Sequence, residues 1–228
     1  MNNDVLNDEF LKSIDSNYEF SNKPIRRLKK SQQPGEIKSQ LENLKKQIAE
    51  IDACDLKNHA NQLVFSDGNF RSKIMLVGEG PGQKEDVIGK PFMGDAGKLL
   101  NKMLAAIDIK RESIYITNVV NYRPPNNRKP TTAEINKYSK FLYEHISIIN
   151  PKILIIMGGT AMEALIGNNF KISKERGIWK EVIIKGKTYL SIVTFHPAYL
   201  LRQPDQKKYS WIDLKEIKKK INELNIIL

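Results

Sequence analysis

Five short segments of the chain carry residue types and spacings that could do chemistry. The first, Gly78-Glu79-Gly80-Pro81-Gly82, follows an apolar run. Its glycines let the backbone turn sharply and bring main-chain amides, that of Gly80 among them, close to a ligand. Glu79, held between two glycines, has little to pack against and is suited to orient a water or to balance positive charge. Glu85 and Asp86 lie within reach of the same turn. In Gly89-Lys90-Pro91-Phe92-Met93-Gly94 a ring sits in a loop bounded by Pro and Gly, available to stack on a planar group. Asn118 ends a second apolar run and offers both an amide donor and a carbonyl acceptor to a base edge. The Arg123-Pro124-Pro125-Asn126-Asn127-Arg128 segment is a stiff loop with two guanidiniums suited to phosphates. Last, His196 is followed by a Pro turn, Leu200, Leu201 and Arg202; an apolar wedge beside a cation is a device for prying stacked bases apart. Each segment also has a plain structural reading, as a turn, a core plug or a capped strand end.

Nucleotide phosphate fingerprints are incomplete. The third glycine of a dinucleotide motif would fall on Gln83, and Gly97-Lys98 is followed by Leu99 where a phosphate loop requires Ser or Thr.

The elements that must position these residues are legible as a pattern. Apolar runs at 74–77, 114–116, 153–157 and 190–195 alternate with helical segments, which predicts an α/β domain around a largely parallel four-stranded sheet. Parallel sheets gather loops and helix N-termini at the carboxyl ends of their strands, so a ligand site is expected there. One helix is expected after Asp95, with Leu99, Leu100, Met103, Leu104 and Ile107 on its apolar face. A second follows the Thr131-x-x-Glu134 capping box and carries Ile135, Tyr138, Leu142, Ile146 and Ile149. Ile37, Leu41, Leu44, Ile48 and Ile51 mark an amphipathic helix near the start, and Trp211, Leu214, Ile217, Ile221 and Leu224 are read as the packed face of the last. Residues 1–34, with a basic knot at Arg26, Arg27, Lys29 and Lys30, read as a flexible polar tail preceding a single domain at 35–228.

Composition narrows the function classes. Lys and Arg number 37 against 26 Asp and Glu, a formal charge of +11 that favours polyanions such as nucleic acid. The single cysteine, Cys54, excludes an intramolecular disulfide framework and a four-cysteine metal site from this chain alone, and points to a reducing compartment. No window reaches the 18 or so apolar residues of a membrane span, and the acidic start lacks the features of a secretory signal. A cytoplasmic protein without membrane contact is expected.

Taken together and in order, GEGPG, the KPF turn, the TN strand end, RPPNNR and HPAYLLR resemble the family 4 uracil-DNA glycosylases over about residues 51–220. The resemblance implies a three-layer α/β/α sandwich with a central, mainly parallel four-stranded sheet. Matched residue by residue, it implies catalytic roles for Glu79 and His196, stacking of Phe92 on uracil, and reading of the base by Asn118. It also implies backbone contacts at Gly80, an acid near the pocket at Glu85, and DNA contacts by Arg123, Arg128, Leu200, Leu201 and Arg202. Mismatch-specific relatives carry Asn where Glu79 stands, and cross-linking relatives carry an inserted histidine-bearing loop that is absent after Arg128; both are disfavoured. Family 4 members hold a four-iron–four-sulfur cluster on four cysteines. Here those positions read Ile51, Cys54, Tyr122 and Tyr138, and the expectation from the sequence is that no cofactor is bound.

The activity so implied is hydrolysis of the N-glycosidic bond of uracil flipped out of single- or double-stranded DNA, in base excision repair, by a monomer associated with the nucleoid, with replication or repair proteins as candidate partners. The alternatives are a catalytically weak DNA-binding module, related sequences resembling a phage DNA-polymerase-associated domain, and a glycosylase for another deaminated base such as hypoxanthine.

Overall fold

The computed structural model describes residues 34–227; the basic knot at 26–30 lies outside them. Helix α1 (Pro34–Ala49) opens the described chain, and Pro34, read from sequence as part of a break, occupies its first position, where a missing N–H costs no helical hydrogen bond. There follow α2 (Asp55–His59), the two-residue strand β1 (Asp67–Gly68), β2 (Ile74–Gly78), α3 (Gln83–Ile88) and α4 (Asp95–Ala105). Next are β3 (Tyr115–Asn118), α5 (Thr132–Ile149), β4 (Ile153–Met157), α6 (Gly159–Leu165) and α7 (Ile172–Glu175). The chain closes with β5 (Trp179–Ile184), β6 (Lys187–Thr194), α8 (Pro197–Arg202) and α9 (Lys207–Glu223).

The strand order is β1-β3-β2-β4-β6-β5. The four expected runs form the parallel centre, β3, β2, β4 and β6, with Met75 opposite both Tyr115 and Leu154. Two antiparallel edges, β1 and β5, were not expected. The first is too short to leave a pattern, and β5 alternates between buried and exposed residues because only one of its faces is covered. Strands β2 and β4 are buried along their whole length. Their alternate residues feed two separate cores: Met75, Val77, Leu154 and Ile156 join α1, α5 and α6, whereas Ile74, Leu76, Ile153 and Ile155 join α4 and α9. The result is a three-layer sandwich. From β2 the chain steps to β3 on one side and later to β4 on the other, so the strand order reverses at β2, where α/β sheets open a crevice.

The capping box forms as expected: Glu134 N–H donates to Thr131 Oγ1 at 3.2 Å, and Thr131 N–H donates to the Glu134 carboxylate at 2.7 Å. Within α5, His145 is buried and stacked on Phe65, and burial pushes its pKa down to about 3. The last helix departs from expectation. Its buried face is Ser210, Asp213, Leu214, Ile217 and Ile221, and Trp211 is 45% exposed. The reason is Asp213, fully buried, whose carboxylate accepts from Thr194 Oγ1 at 2.8 Å and pairs with Arg176. That anchor fixes the rotation of α9 and turns Trp211 outward. Among the described residues no helix is long and apolar enough to cross a membrane.

Candidate active site

The turns after β2, β3, β4 and β6 converge on one cleft of about 590 Å³, whose lining includes Glu79, Gly80, Phe92, Asn118, Thr160 and His196. Glu85, Arg128 and Arg202 also border it.

Its floor depends on a missing side chain. A Cβ on Gly78 would lie 2.4 Å from Phe92 Cζ and 2.5 Å from Asn118 Oδ1, so only glycine lets the ring and the amide approach one another across the end of β2. Phe92 itself adopts a left-handed backbone, φ 54°, a strained choice for a bulky residue. Arg111 holds the turn: its guanidinium donates to Pro91 O at 2.6 Å and Phe92 O at 3.2 Å, and is tethered by Asp67 at 2.9 Å. Burial alone would raise the Asp67 pKa, but the hydrogen bond from Arg111, helped by Lys90, brings it below the usual carboxylate value. Asn118 is 3% exposed, and its side-chain amide has no hydrogen-bond partner among the described residues. It borders the cleft, where an amide can both donate and accept.

Glu79 is partly exposed, and its Oε2 accepts a 2.5 Å hydrogen bond from Thr160 Oγ1. Thr160 is fully buried in the first turn of α6. This fixes one carboxylate oxygen and leaves the other for a water.

The Glu85 carboxylate is spent on backbone. It accepts from Gly82 N–H at 3.1 Å and from the N–H groups of Met93 and Gly94, each at 2.7 Å, and so ties the turn after β2 to the turn that carries Phe92. Asp86, 1% exposed, accepts from Asn61 N–H and Nδ2–H at 2.9 and 2.8 Å and anchors the segment before β1.

His196 sits at the N-terminus of α8, and its Nδ1 accepts from Ala198 N–H at 3.2 Å. Burial, reinforced by the nearby Arg202 charge and opposed by Glu85, lowers its pKa to about 4. The imidazole is therefore neutral near pH 7. Because a backbone N–H can only donate, the single ring proton resides on Nε2. The ring stacks on Phe92 with centroids 5.3 Å apart, and Gly158 (φ 91°) after β4 leaves room for it, since a Cβ there would stand 2.9 Å from His196 Cβ.

The residues expected to touch DNA are placed differently from one another. Leu201 is 44% exposed, whereas Leu200 is 1% exposed and packs in the core with Phe92 and Phe195, so Leu201 is the leucine of the pair that faces solvent. Arg202 is exposed at the cleft rim. Arg128 is engaged with Glu134 in a bidentate pair at 2.6 and 2.8 Å, which holds the Glu134 pKa down at about 2. Arg123 lies off the cleft lining, bonded to Asn127 Oδ1 at 2.7 Å and 3.9 Å from Asp86. Both arginines thus brace the RPPNNR loop. Sequence reasoning put Gly78 in the floor for its turn and not for the space its missing Cβ leaves, and it missed Thr160 and Arg111. Thr160 had one available signal, its place directly after the third apolar run, on the same sheet edge as the other site residues.

Comparison with known proteins gives this constellation a family. The model of the Uracil DNA glycosylase superfamily matches residues 65–219. The chain is 42% identical over 166 residues to a Type-4 uracil-DNA glycosylase of Thermotoga maritima, covering 71% of this chain and 83% of that protein. It is 38% identical over 182 residues to the Type-4 uracil-DNA glycosylase of Archaeoglobus fulgidus, covering 78% and 91%. It is also 33% identical over 161 residues to a DNA polymerase of Bacillus phage SP01, covering 70% of this chain and 17% of the polymerase.

These relatives correct the expectation that no cofactor belongs here, because the type-4 group is one whose members carry an iron–sulfur cluster. At the implied ligand positions, Ile51, Cys54, Tyr122 and Tyr138 are all buried in one apolar cluster, with Cys54 Sγ 3.3 Å from the Tyr138 hydroxyl. Burial pushes both phenols up. The described residues supply one thiolate there and no group of three or more His, Cys, Asp or Glu placed for a metal. Those donors do not fit a four-thiolate cubane, and no chemical step below runs through one. On sequence match, fold and site, the chain belongs to the uracil-DNA glycosylase superfamily, among its type-4 members.

Proposed function

We propose that the cleft takes a uracil rotated out of DNA and hydrolyses the bond between the base and its deoxyribose, leaving an abasic site in base excision repair. A uracil stacked in duplex cannot reach the turns at the strand ends, so extrusion comes first, at a cost of a few kcal/mol. Leu201, exposed beside Arg202 at the rim, is placed to fill the space the base leaves.

Within the cleft, Phe92 supplies the stacking face and Asn118 the edge contacts, accepting from uracil N3–H and donating to O4. Cytosine, with an unprotonated N3 and an amino group, would leave the buried Asn118 amide mismatched. Glu85, immobilised by three backbone amides, is our candidate for barring the C5-methyl of thymine. Bond cleavage leaves negative charge on the base and oxocarbenium character on the sugar. The Nε2–H of neutral His196 and the amides of the Gly80 turn would stabilise the departing uracil anion. Glu79, one oxygen fixed by Thr160, would direct a water at the sugar and offset its positive charge.

The observation that carries this reading is the convergence of Glu79, Phe92, Asn118 and His196 on one cleft, with the Asn118 amide unpartnered among the described residues. The test is incubation of the full chain with oligonucleotides bearing one uracil, hypoxanthine or thymine, followed by alkali. Strand scission at uracil alone is expected, in single- and double-stranded DNA, and it is expected to fall at least a hundredfold in E79A and H196A. Tight binding without base release, or release of hypoxanthine in preference to uracil, would overturn the proposal. The same reading places the protein with DNA in the cytoplasm and has it act as a monomer.

A further inference from the structure

Helix α9 leaves the cleft with an unusual outer face. Gln206 lines the cleft and Lys207 begins the helix. At 1.5 Å of rise per residue, Trp211 stands only about 7 to 8 Å further along the axis. It lies about 3 Å before Asp213 along the axis and about half a turn round it, and the Asp213 carboxylate is bonded to Thr194 at the carboxyl end of β6, the sheet edge on which the active site is built. Trp211 and Ile212 are 45% and 48% exposed. Lys208, Lys215 and Lys219 flank them at helical spacings of three and four, all exposed. Among the described residues neither Lys208 nor Lys215 is ion-paired with a carboxylate, unlike Lys218, which pairs with Asp108 at 3.3 Å.

A large indole turned to solvent between lysines is a poor surface for water and a good one for an unpaired nucleotide strand. The ring stacks on any base, and the ammonium groups meet the phosphates on either side. We infer that the Lys208–Trp211–Lys215 face of α9 is a second DNA subsite, which grips single-stranded DNA flanking the extruded uracil by stacking an unpaired base on Trp211. The inference rests on the uracil-DNA reading of the cleft for its place in the reaction. The charge of the face and the absence of a partner acid for two of its lysines commit it to a polyanion over an apolar protein segment.

Two measurements on the full chain separate this inference from the parent reading. The first is titration with a uracil-free oligo(dT) dodecamer, following tryptophan fluorescence. Quenching is expected in the wild type and lost in W211A, with Trp179 as the internal control, and this readout needs no catalysis. The second is the ratio of kcat/KM for a single-stranded uracil dodecamer to that for a uracil trinucleotide, which carries at most two nucleotides besides the uracil and so has the fewest bases and phosphates to lay on α9. That ratio is expected to fall about tenfold in W211A, to recover in W211F, and to fall by a smaller, salt-sensitive factor in K208A/K215A. An unchanged ratio together with unchanged quenching in W211A would overturn the subsite. So would a change in sedimentation of W211A, or a change in Trp211 fluorescence when residues 1–33 are removed, because either would mean that protein covers this face. Failure of the wild type to release uracil from any substrate would count against the cleft proposal and leave the quenching measurement to decide this one.

Discussion

Thr160 and Glu79 share the shortest contact in the cleft, and its consequence is specific. The hydroxyl donates to one carboxylate oxygen, which keeps the other oriented to direct a water. Replacing Thr160 by Val removes the donor at nearly constant volume. Loss of one hydrogen bond to a charged group, about 1.5 to 3 kcal/mol, corresponds to a fall in kcat of about 10- to 100-fold. KM should change little, T160S should restore most of the rate, and single-turnover uracil release measures both. At this scale the sequence was informative where chemistry depends on residue type. Glu79, Asn118 and His196 stand at strand ends and have few other uses there. It was silent where chemistry depends on space or on partners brought from elsewhere: that Gly78 must lack a Cβ, or that Arg111 clasps Phe92 from 19 positions away, follows only from how the turns pack.

The elements were legible in proportion to how fully they are buried. The continuous apolar runs of β2 and β4 and the capped, periodic α5 match expectation because burial on both faces, or on one helical stripe, leaves a clear pattern. Trp211 shows the limit, since the rotation of α9 is set by the buried Asp213–Arg176 pair, and a polar anchor carries no apolar periodicity. Another buried polar group, His145 on α5, gives the fold a pH dependence. Its Nε2 lies 2.7 Å from the Tyr115 hydroxyl, which donates onward to Ser66, and its pKa is about 3 against an ordinary 6.5. The unfolded chain therefore takes up a proton that the folded chain refuses. Stability is fully present above pH 6.5 and declines as pH falls from 6.5 toward 3, by about 1.4 kcal/mol per pH unit from this residue. Urea denaturation at pH 7, 6 and 5 measures the slope, and H145Q should flatten it.

For the molecule as a whole, a formal charge of +11 acts over a Debye length and draws DNA to the surface before any base is read. Braced loops leave few cations free for phosphates near the cleft: Arg128 is committed to Glu134 and Arg123 to Asn127, while Arg202, Lys208 and Lys215 remain exposed. With about three phosphates neutralised, the logarithm of affinity for single-stranded DNA should fall with the logarithm of salt at a slope near −2. Fluorescence anisotropy between 50 and 300 mM salt tests this, and a slope beyond about −5 would mean that cations elsewhere, the Arg26 to Lys30 segment included, join the contact. Charge and the parallel centre of the sheet were readable from the letters. The division of arginines between bracing and binding was not, because both uses favour the same residue in the same proline-rich loop.

One lone pair on His196 serves two purposes. By capping α8 through Nδ1 it secures the start of that helix and, in the same bond, dictates which nitrogen keeps the hydrogen. Folding and reactivity are thereby welded at this position yet separable by chemistry. Asn is itself a good capping residue, so H196N should melt within a degree or two of the wild type while H196A loses about 1 kcal/mol, and neither should recover the rate. Calorimetry of the two variants beside their turnover would show whether the enzyme inherited its proton donor from the requirements of a helix.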